Sequence, residues 1–161
     1  MSFEKAKSYL EKKGLASHII VPASPTATVE EAATALGTEP GAIAKTLSFL
    51  VGGEPVLILV EGSAKIDNHK YKEFFHTKAK MIPREQVESL VGHAPGGVCP
   101  FGVNDGIKVY FDVSLKNHAV VYPAAGDDHS GVKLTIAELE RSVDSFEWID
   151  VCKLESPAEA S

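Results

Sequence analysis

The chain has 161 residues, of which 44% are hydrophobic, and a formal net charge of −6. A chain of this length buries about two-thirds of its unfolded surface around one core, so one compact domain is expected. No apolar run reaches the roughly twenty residues of a membrane helix, and the charged N-terminus lacks the apolar core of a signal peptide. The two cysteines have no metal-ligand spacing. We therefore expect a reduced cytoplasmic protein without a membrane or DNA partner, a metal site or a cofactor.

Helices and strands alternate along the first half of the chain. Two glycines, Gly52 and Gly53, separate two apolar runs and predict an antiparallel hairpin between a strand that contains Lys45 and a strand over 56–60. Thr28-x-x-Glu31 forms a capping box, which predicts that a helix begins there and continues to Leu36. The other predicted elements are a helix over 3–10, a strand over 17–21, a helix from Asp67 to Phe75 and a helix from Pro83 to Val91.

The second half is predicted to add strands and one helix to the same domain. Three strands are expected over 107–112, 119–122 and 132–134, followed by a helix that the box Thr135-x-x-Glu138 caps and a last strand over 146–151. Hairpins combined with helical crossovers predict an α/β fold with a mixed sheet. We expect a single domain over 1–152 and a flexible tail over 153–161, which is rich in Ser, Pro, Ala and Glu.

Three glycines and a proline lie within the seven residues of Gly96–Gly102. Glycine permits positive φ and proline restricts the backbone, so such a loop can direct its amides at a carbonyl or ester oxygen. Far upstream, Lys45 places a long cation at the edge of an apolar strand, where it could reach into a pocket. The residues alone leave the alternative open that these are an ordinary surface turn and a solvated lysine.

The segment Lys45-Thr46-Leu47 follows a short helix, and a G-x-x-x-P loop from Gly96 to Pro100 follows about fifty residues later. With a small-residue turn before a strand and helix, this order resembles the YbaK family, the prolyl-tRNA synthetase editing domains and their free-standing relatives. The resemblance runs from about Phe3 to Val151. It implies a curved mixed sheet surrounded by helices, with a pocket between the Lys45 strand and the glycine loop.

The resemblance also implies an activity, a trans-acting aminoacyl-tRNA deacylase that hydrolyses the ester of mischarged tRNA. The favoured substrate is tRNA for proline that carries a small noncognate amino acid. Such an ester is already activated, so hydrolysis needs a positioned water and donors for the developing oxyanion. The catalytic residues implied are Lys45, Gly96, Gly97, Val98, Cys99 and Pro100. The amides of Gly97, Val98 and Cys99 are the expected donors, and Lys45 is expected to position the substrate and stabilise its charge.

Five residues are expected to contact the substrate: Ile43, Thr46, Leu47, Asp112 and His129. Ile43, Leu47 and Val98 would suit a small apolar side chain. His129 is either a selector of the substrate side chain or a solvated turn residue. Asp112 either orders a loop or caps a turn.

The segment from Glu61 to Arg84 is locally basic, with six basic residues against three acidic ones. Its charge of +3 contrasts with −9 for the rest of the chain. A basic patch on an acidic body can steer a phosphate backbone, although most charge runs are solvated helix faces. The residues expected to bind tRNA are Lys65, Lys70, Lys72, Lys78 and Lys80.

Two alternative functions remain open. The chain could be a module that binds tRNA or an aminoacyl-tRNA synthetase without turnover. It could also be a thiol hydrolase in which Cys99 is the nucleophile and His93, His118 or His129 is the base.

Overall fold

A computed structural model describes residues 2–154, which contain five α-helices. They are α1 (Ser2–Lys12), α2 (Val29–Leu36), α3 (Asn68–Phe75), α4 (Arg84–Val91) and α5 (Ile136–Arg141). Both predicted capping boxes are confirmed. At α2, Glu31 N–H donates to Thr28 Oγ1 at 3.1 Å and Thr28 N–H donates to Glu31 Oε1 at 3.2 Å. Thr135 and Glu138 make the same pair of bonds at α5. Each box satisfies amides that the first turn of a helix leaves unpaired.

Six strands form one mixed sheet in the order β8-β6-β2-β3-β5-β9. The ten strands are β1 (Ile19–Ile20), β2 (Ile43–Val51), β3 (Glu54–Glu61), β4 (Ala64–Ile66), β5 (Lys108–Asp112), β6 (Val120–Pro123), β7 (Gly131–Val132), β8 (Leu134–Thr135), β9 (Glu147–Ile149) and β10 (Cys152–Leu154). The pairs β2/β3 and β6/β8 are antiparallel, whereas β2/β6, β3/β5 and β5/β9 are parallel. Two short ribbons, β1/β7 and β4/β10, lie outside this sheet. The predicted mixed α/β domain is confirmed.

The hairpin β2/β3 is the centre of the sheet. Gly52 and Gly53 have φ of +58° and +83°, the positive values that a tight hairpin turn requires. Residues 57–60 of β3 have no exposed surface, because helices cover both faces of the sheet. Leu10 of α1 and Leu139 of α5 belong to the hydrophobic cluster on one face, and Tyr71 of α3 belongs to the cluster on the other.

On the side away from β3, β2 bonds to two different segments along its length. The candidate site lies between these two segments. The pairing with β6 covers only Ile43 and Ala44. Further along, Leu50 N–H donates to Lys80 O at 2.8 Å and Ile82 N–H donates to Ser48 O at 3.1 Å. The edge of β2 between Ala44 and Ser48 is therefore a gap between two partners.

Three predicted strands differ from the structure. The first begins as a 3₁₀ turn over Ala16–His18, so only Ile19 and Ile20 are extended. The strand predicted over 132–134 is two strands, β7 and β8, which pair with different partners. The last predicted strand, over 146–151, is shorter than expected because only β9 is extended within it, and β10 follows after its predicted end. Lys153 and Leu154, with which the predicted tail begins, lie in β10, and residues 155–161 lie outside the described part of the chain. Within residues 2–154, no helix is long and apolar enough to span a membrane.

Candidate functional site

A pocket of about 170 Å³ opens at the gap in the β2 edge. One wall is α2 with the residues that precede it, and the opposite wall contains Gly96 and Val98 of the glycine loop. The end of β6 and Ser130 complete the lining. Most of the surface is apolar, from the side chains of Val29, Ala32, Leu36, Ile43, Val98 and Tyr122. The predicted pocket between the Lys45 strand and the glycine loop is present.

Thr46 lies at the centre of the gap. Alternate residues of a strand direct their backbone groups to the same side, so Thr46 N–H and C=O point to the same edge as those of Ser48 and Leu50. The ladder with β6 ends at Ala44, so it gives these Thr46 groups no partner. Thr46 Oγ1 is also buried and makes no hydrogen bond to any described residue. Polar groups in this condition are rare in native proteins, which indicates that a ligand or water bonds to them.

Lys45 lines the pocket, but its ammonium is held by the turn between β3 and β4. Its Nζ donates to Ala64 O at 2.6 Å and to Gly62 O at 3.3 Å. We expected this cation to face the glycine loop directly. The structure instead orients it through two carbonyl oxygens.

The glycine loop contributes two potential donors rather than the three expected. Gly97 N–H already donates to Ala94 O at 3.1 Å within the loop. Among the described residues, none accepts a hydrogen bond from the amides of Val98 and Cys99. Gly96 has a φ of +93° and lines the pocket, whereas Cys99 and Pro100 do not line it. Pro100 is buried beside a separate cavity.

Cys99 is packed in the core. Its side chain has no exposed surface, and burial raises the pKa of the thiol to about 12. The buried His93 lies 3.5 Å from Cys99 Sγ through Nε2, but the same nitrogen lies 2.6 Å from Phe101 O. Burial also lowers the pKa of His93. This placement argues against the thiol hydrolase alternative, because the buried sulfur belongs to a residue that does not line the pocket.

Of the five predicted substrate contacts, the structure brings Ile43 and Thr46 to the pocket. Leu47 packs on the opposite face of the sheet, in the cluster that contains Tyr71, and does not line the pocket. Asp112 is 1% exposed and accepts hydrogen bonds from Ser114 N–H and Val151 N–H, so it caps a turn.

His129 lies in the turn after β6 but does not line the pocket. Its side chain is 52% exposed, and its Nδ1 lies 2.8 Å from Asp128 Oδ1. This placement corresponds to the solvated turn residue rather than to the selector of a substrate side chain.

Two hydrogen bonds between Thr26 and Ser130 close one side of the pocket. No sequence pattern predicts this contact. Ser130 N–H donates to Thr26 Oγ1 at 3.1 Å, and Thr26 Oγ1 donates to Ser130 O at 3.3 Å. The two residues are 104 positions apart and meet because β1 pairs with β7. The two residues lie in loops that are distant in the sequence, so their residue types alone do not predict such a contact.

The predicted tRNA-binding lysines lie on the surface, but they are not equivalent. Lys65, Lys72, Lys78 and Lys80 are exposed, whereas Lys70 is paired with Asp150 at 3.1 Å and donates to Cys152 O. Lys80 belongs to the segment that bonds to β2 beside the pocket. Residues 2–154 contain no group of three or more His, Cys, Asp or Glu side chains that could hold a metal ion.

Comparisons with known proteins identify the family. The aminoacyl-tRNA editing domain model matches residues 23–142. The chain is 40% identical to the uncharacterized protein YwhH of Bacillus subtilis (strain 168), over 95% of this chain and 98% of that protein. It is 32% identical to the proline–tRNA ligase of Staphylococcus aureus (strain Newman), over 76% of this chain but only 21% of the ligase. A crystal structure described as "a putative trans-editing enzyme for prolyl tRNA synthetase" superposes with a TM-score of 0.83 at 29% identity, over 96% of this chain and 98% of that one. The resemblance to the YbaK family is confirmed, and this chain belongs to the aminoacyl-tRNA editing domain family.

Proposed function

We propose that this protein is a trans-acting deacylase that hydrolyses the ester of mischarged tRNA, with tRNA for proline carrying a small noncognate amino acid as the substrate. The observation that carries the proposal is the pocket at the β2 edge, where Lys45 and Val98 of the glycine loop lie around a small apolar space. Membership of the editing domain family and the similarity to a part of a proline–tRNA ligase support it.

The chemistry proposed for this site is electrostatic. The amide of Val98, a residue that lines the pocket, donates to the oxygen that becomes negative when water attacks the ester carbon. Lys45 holds the ribose or terminal phosphate and stabilises negative charge nearby. Donors that are already oriented need no reorganisation during the reaction, and one such donor typically contributes about 10²–10³ in rate. No side-chain nucleophile is required, which agrees with the burial of the Cys99 thiol.

The size of the pocket supports a small amino acid. A synthetic site for proline discriminates poorly against smaller residues, because one methylene is worth only about 1–3 kcal/mol of contact. A second pocket that admits only small side chains restores accuracy. Here the apolar wall formed by Ala32, Leu36 and Ile43 would contact the substrate side chain, and Thr46 Oγ1 would contact a polar atom of the substrate.

The partner proposed is aminoacyl-tRNA, with the lysines of the basic segment in contact with its backbone. Lys65, Lys72, Lys78 and Lys80 are exposed, and the backbone of Lys80 bonds to Leu50 of β2. Lys70 is half-buried and lies 3.1 Å from Asp150. An aminoacyl-tRNA synthetase is a second partner that the chain could join.

The test is a deacylation panel with purified protein. Alanyl, cysteinyl, seryl, 2-aminobutyryl and prolyl esters of tRNA for proline are each incubated with the wild-type protein and with Lys45→Ala. We expect at least one small noncognate ester to be hydrolysed and the prolyl ester to be spared, with Lys45→Ala inactive. Absence of turnover on every noncognate ester would contradict the proposal and favour a module that binds tRNA or a synthetase without catalysis.

A further inference from the structure

Three side chains form a charged cluster behind the pocket. Glu61, the last residue of β3, is 7% exposed, and its Oε1 lies 3.3 Å from His118 Nε2. Its Oε2 accepts a hydrogen bond from Asn117 Nδ2 at 3.3 Å. On its other side, His118 Nδ1 lies 3.3 Å from Oε1 of the exposed Glu39. A carboxyl group as buried as that of Glu61 needs polar partners, and Asn117 and His118 are the side chains that lie against it.

The cluster is packed tightly against the 3₁₀ turn that leads into β2. A Cβ on Gly41 of this turn would lie 2.9 Å from Glu61 Oε1 and 3.0 Å from His118 Cε1. A Cβ on Gly62 would lie 2.0 Å from Pro40 O. The Gly62 contact is with backbone and requires glycine, so the end of β3 lies directly against the turn that leads into β2.

Glu61 connects this cluster to Lys45 by two short routes. In the β2/β3 ladder it pairs with Ala44, the residue before Lys45. Along the chain it precedes Gly62, whose carbonyl oxygen accepts a hydrogen bond from Lys45 Nζ. The cluster therefore fixes both the strand that carries the lysine and the turn that holds its ammonium.

We propose that Glu61 and His118 are positioning residues that hold the β3–β4 turn in place and thereby orient the Lys45 ammonium at the pocket. Neither side chain lines the pocket, so any effect on hydrolysis passes through Lys45. The consequence for catalysis rests on the proposed deacylase function, whereas the orientation of the ammonium does not.

The test uses Glu61→Gln, which retains the shape of the side chain and removes its charge. In ¹⁵N-labelled protein the Lys45 Nζ resonance, assigned with Lys45→Arg, should be visible in the wild type because two carbonyls protect it from exchange. In Glu61→Gln we expect this resonance to broaden or disappear, kcat to fall about 10- to 100-fold and KM to change little, since a small displacement of a catalytic group has effects of that size.

A matched control is His18→Gln. His18 Nε2 lies 3.7 Å from Glu138 Oε2, and both side chains are partly buried, but this pair has no route to Lys45. Its loss should leave the Lys45 resonance and kcat unchanged. His118→Gln removes the imidazole that packs against Glu61 and can unfold the protein. His118→Lys places a cation beside Glu61, and we expect it to retain the resonance that Glu61→Gln loses.

The two proposals fail in different ways. An unchanged Lys45 resonance in folded Glu61→Gln would overturn the positioning role whatever the activity. Loss of the resonance supports that role even if the wild-type protein hydrolyses no ester, in which case the proposed function fails instead.

Discussion

Gly97 lies directly against Asp127, and a Cβ at Gly97 would be 2.5 Å from the backbone nitrogen and Cα of Asp127. Real Cβ atoms do not approach backbone this closely, so the glycine loop and the turn after β6 can meet only while residue 97 is glycine. Both loops border the pocket through Gly96, Val98 and Ser130. The contact therefore fixes the distance between two walls of the site.

The first prediction is that Gly97→Ala separates these walls and reduces deacylation at least tenfold. The reason is that the loop amides move away from the ester oxygen when Asp127 is displaced. Gly52→Ala is the control, because Gly52 has φ +58° but open space around it at the distant hairpin. It should cost about 1 kcal/mol of stability with no change in kcat. Equal activity of Gly97→Ala and wild type would show that the loop contact does not position the donors.

The second prediction concerns the core thiol of Cys99. Its pKa in the folded state is about 12, above the ordinary value of about 8.5 that applies when the chain is unfolded. At a pH between these two pKa values, the Cys99 thiol is ionised in the unfolded chain but still protonated in the folded protein. The free energy of unfolding therefore falls as the pH rises. One thiol contributes a loss of about 2 kcal/mol between pH 7 and pH 10.

Denaturant unfolding of wild type and Cys99→Ala at both pH values measures this effect. The difference in stability between the two proteins should shrink by about 2 kcal/mol at pH 10, and Cys99→Ala should retain deacylation within about tenfold. Complete loss of activity in a folded Cys99→Ala protein would return the thiol to the mechanism.

The third prediction is that Thr46→Val lowers the activity of the protein without lowering its stability. The hydroxyl is buried without a partner, so its replacement by a methyl group should leave the free energy of unfolding unchanged or raise it by up to about 1 kcal/mol. If Oγ1 bonds to the substrate, kcat/KM for the noncognate ester should fall about tenfold. A less stable but fully active variant would show that the hydroxyl serves the fold.

The fourth prediction places the tRNA backbone on two exposed lysines of the basic segment, Lys78 and Lys80. Lys78→Glu with Lys80→Glu should weaken tRNA binding and flatten its dependence on salt, since each lost phosphate contact removes about 0.7–0.9 from the slope of log K against log salt. Lys7→Glu with Lys12→Glu makes the same change in net charge on α1 and should have a smaller effect. Similar losses in the two double variants would indicate a general effect of net charge, without local docking.

The sequence predicted those parts of the site that local patterns encode. The glycine pair between two apolar runs located the β2/β3 hairpin, and the two capping boxes located α2 and α5. The pairing of Lys45 with the glycine loop followed from the family resemblance and is confirmed as a shared pocket. These signals act over a few residues, where turn and cap chemistry restricts the backbone.

Other features depend on contacts that no local pattern encodes. Leu47 was expected at the pocket because it is apolar and near Lys45, but its side chain packs in the cluster that contains Tyr71 and does not line the pocket. The position of Cys99 in the core and the hydrogen bonds between Thr26 and Ser130 arise from packing between distant segments. The carbonyl oxygens that accept hydrogen bonds from Lys45 Nζ belong to the turn between β3 and β4. The register of β3 against β2 determines where this turn lies.

Single-turnover hydrolysis of the five esters of the deacylation panel by the wild-type protein, and of each hydrolysed noncognate ester by Lys45→Ala, tests the central claim most directly. The account predicts that the wild type hydrolyses at least one noncognate ester and that Lys45→Ala is slower on that ester by about 10²–10³ while its circular dichroism and Tm show a folded protein. A folded Lys45→Ala protein with the wild-type rate would contradict it, because the pocket would then act without its cation.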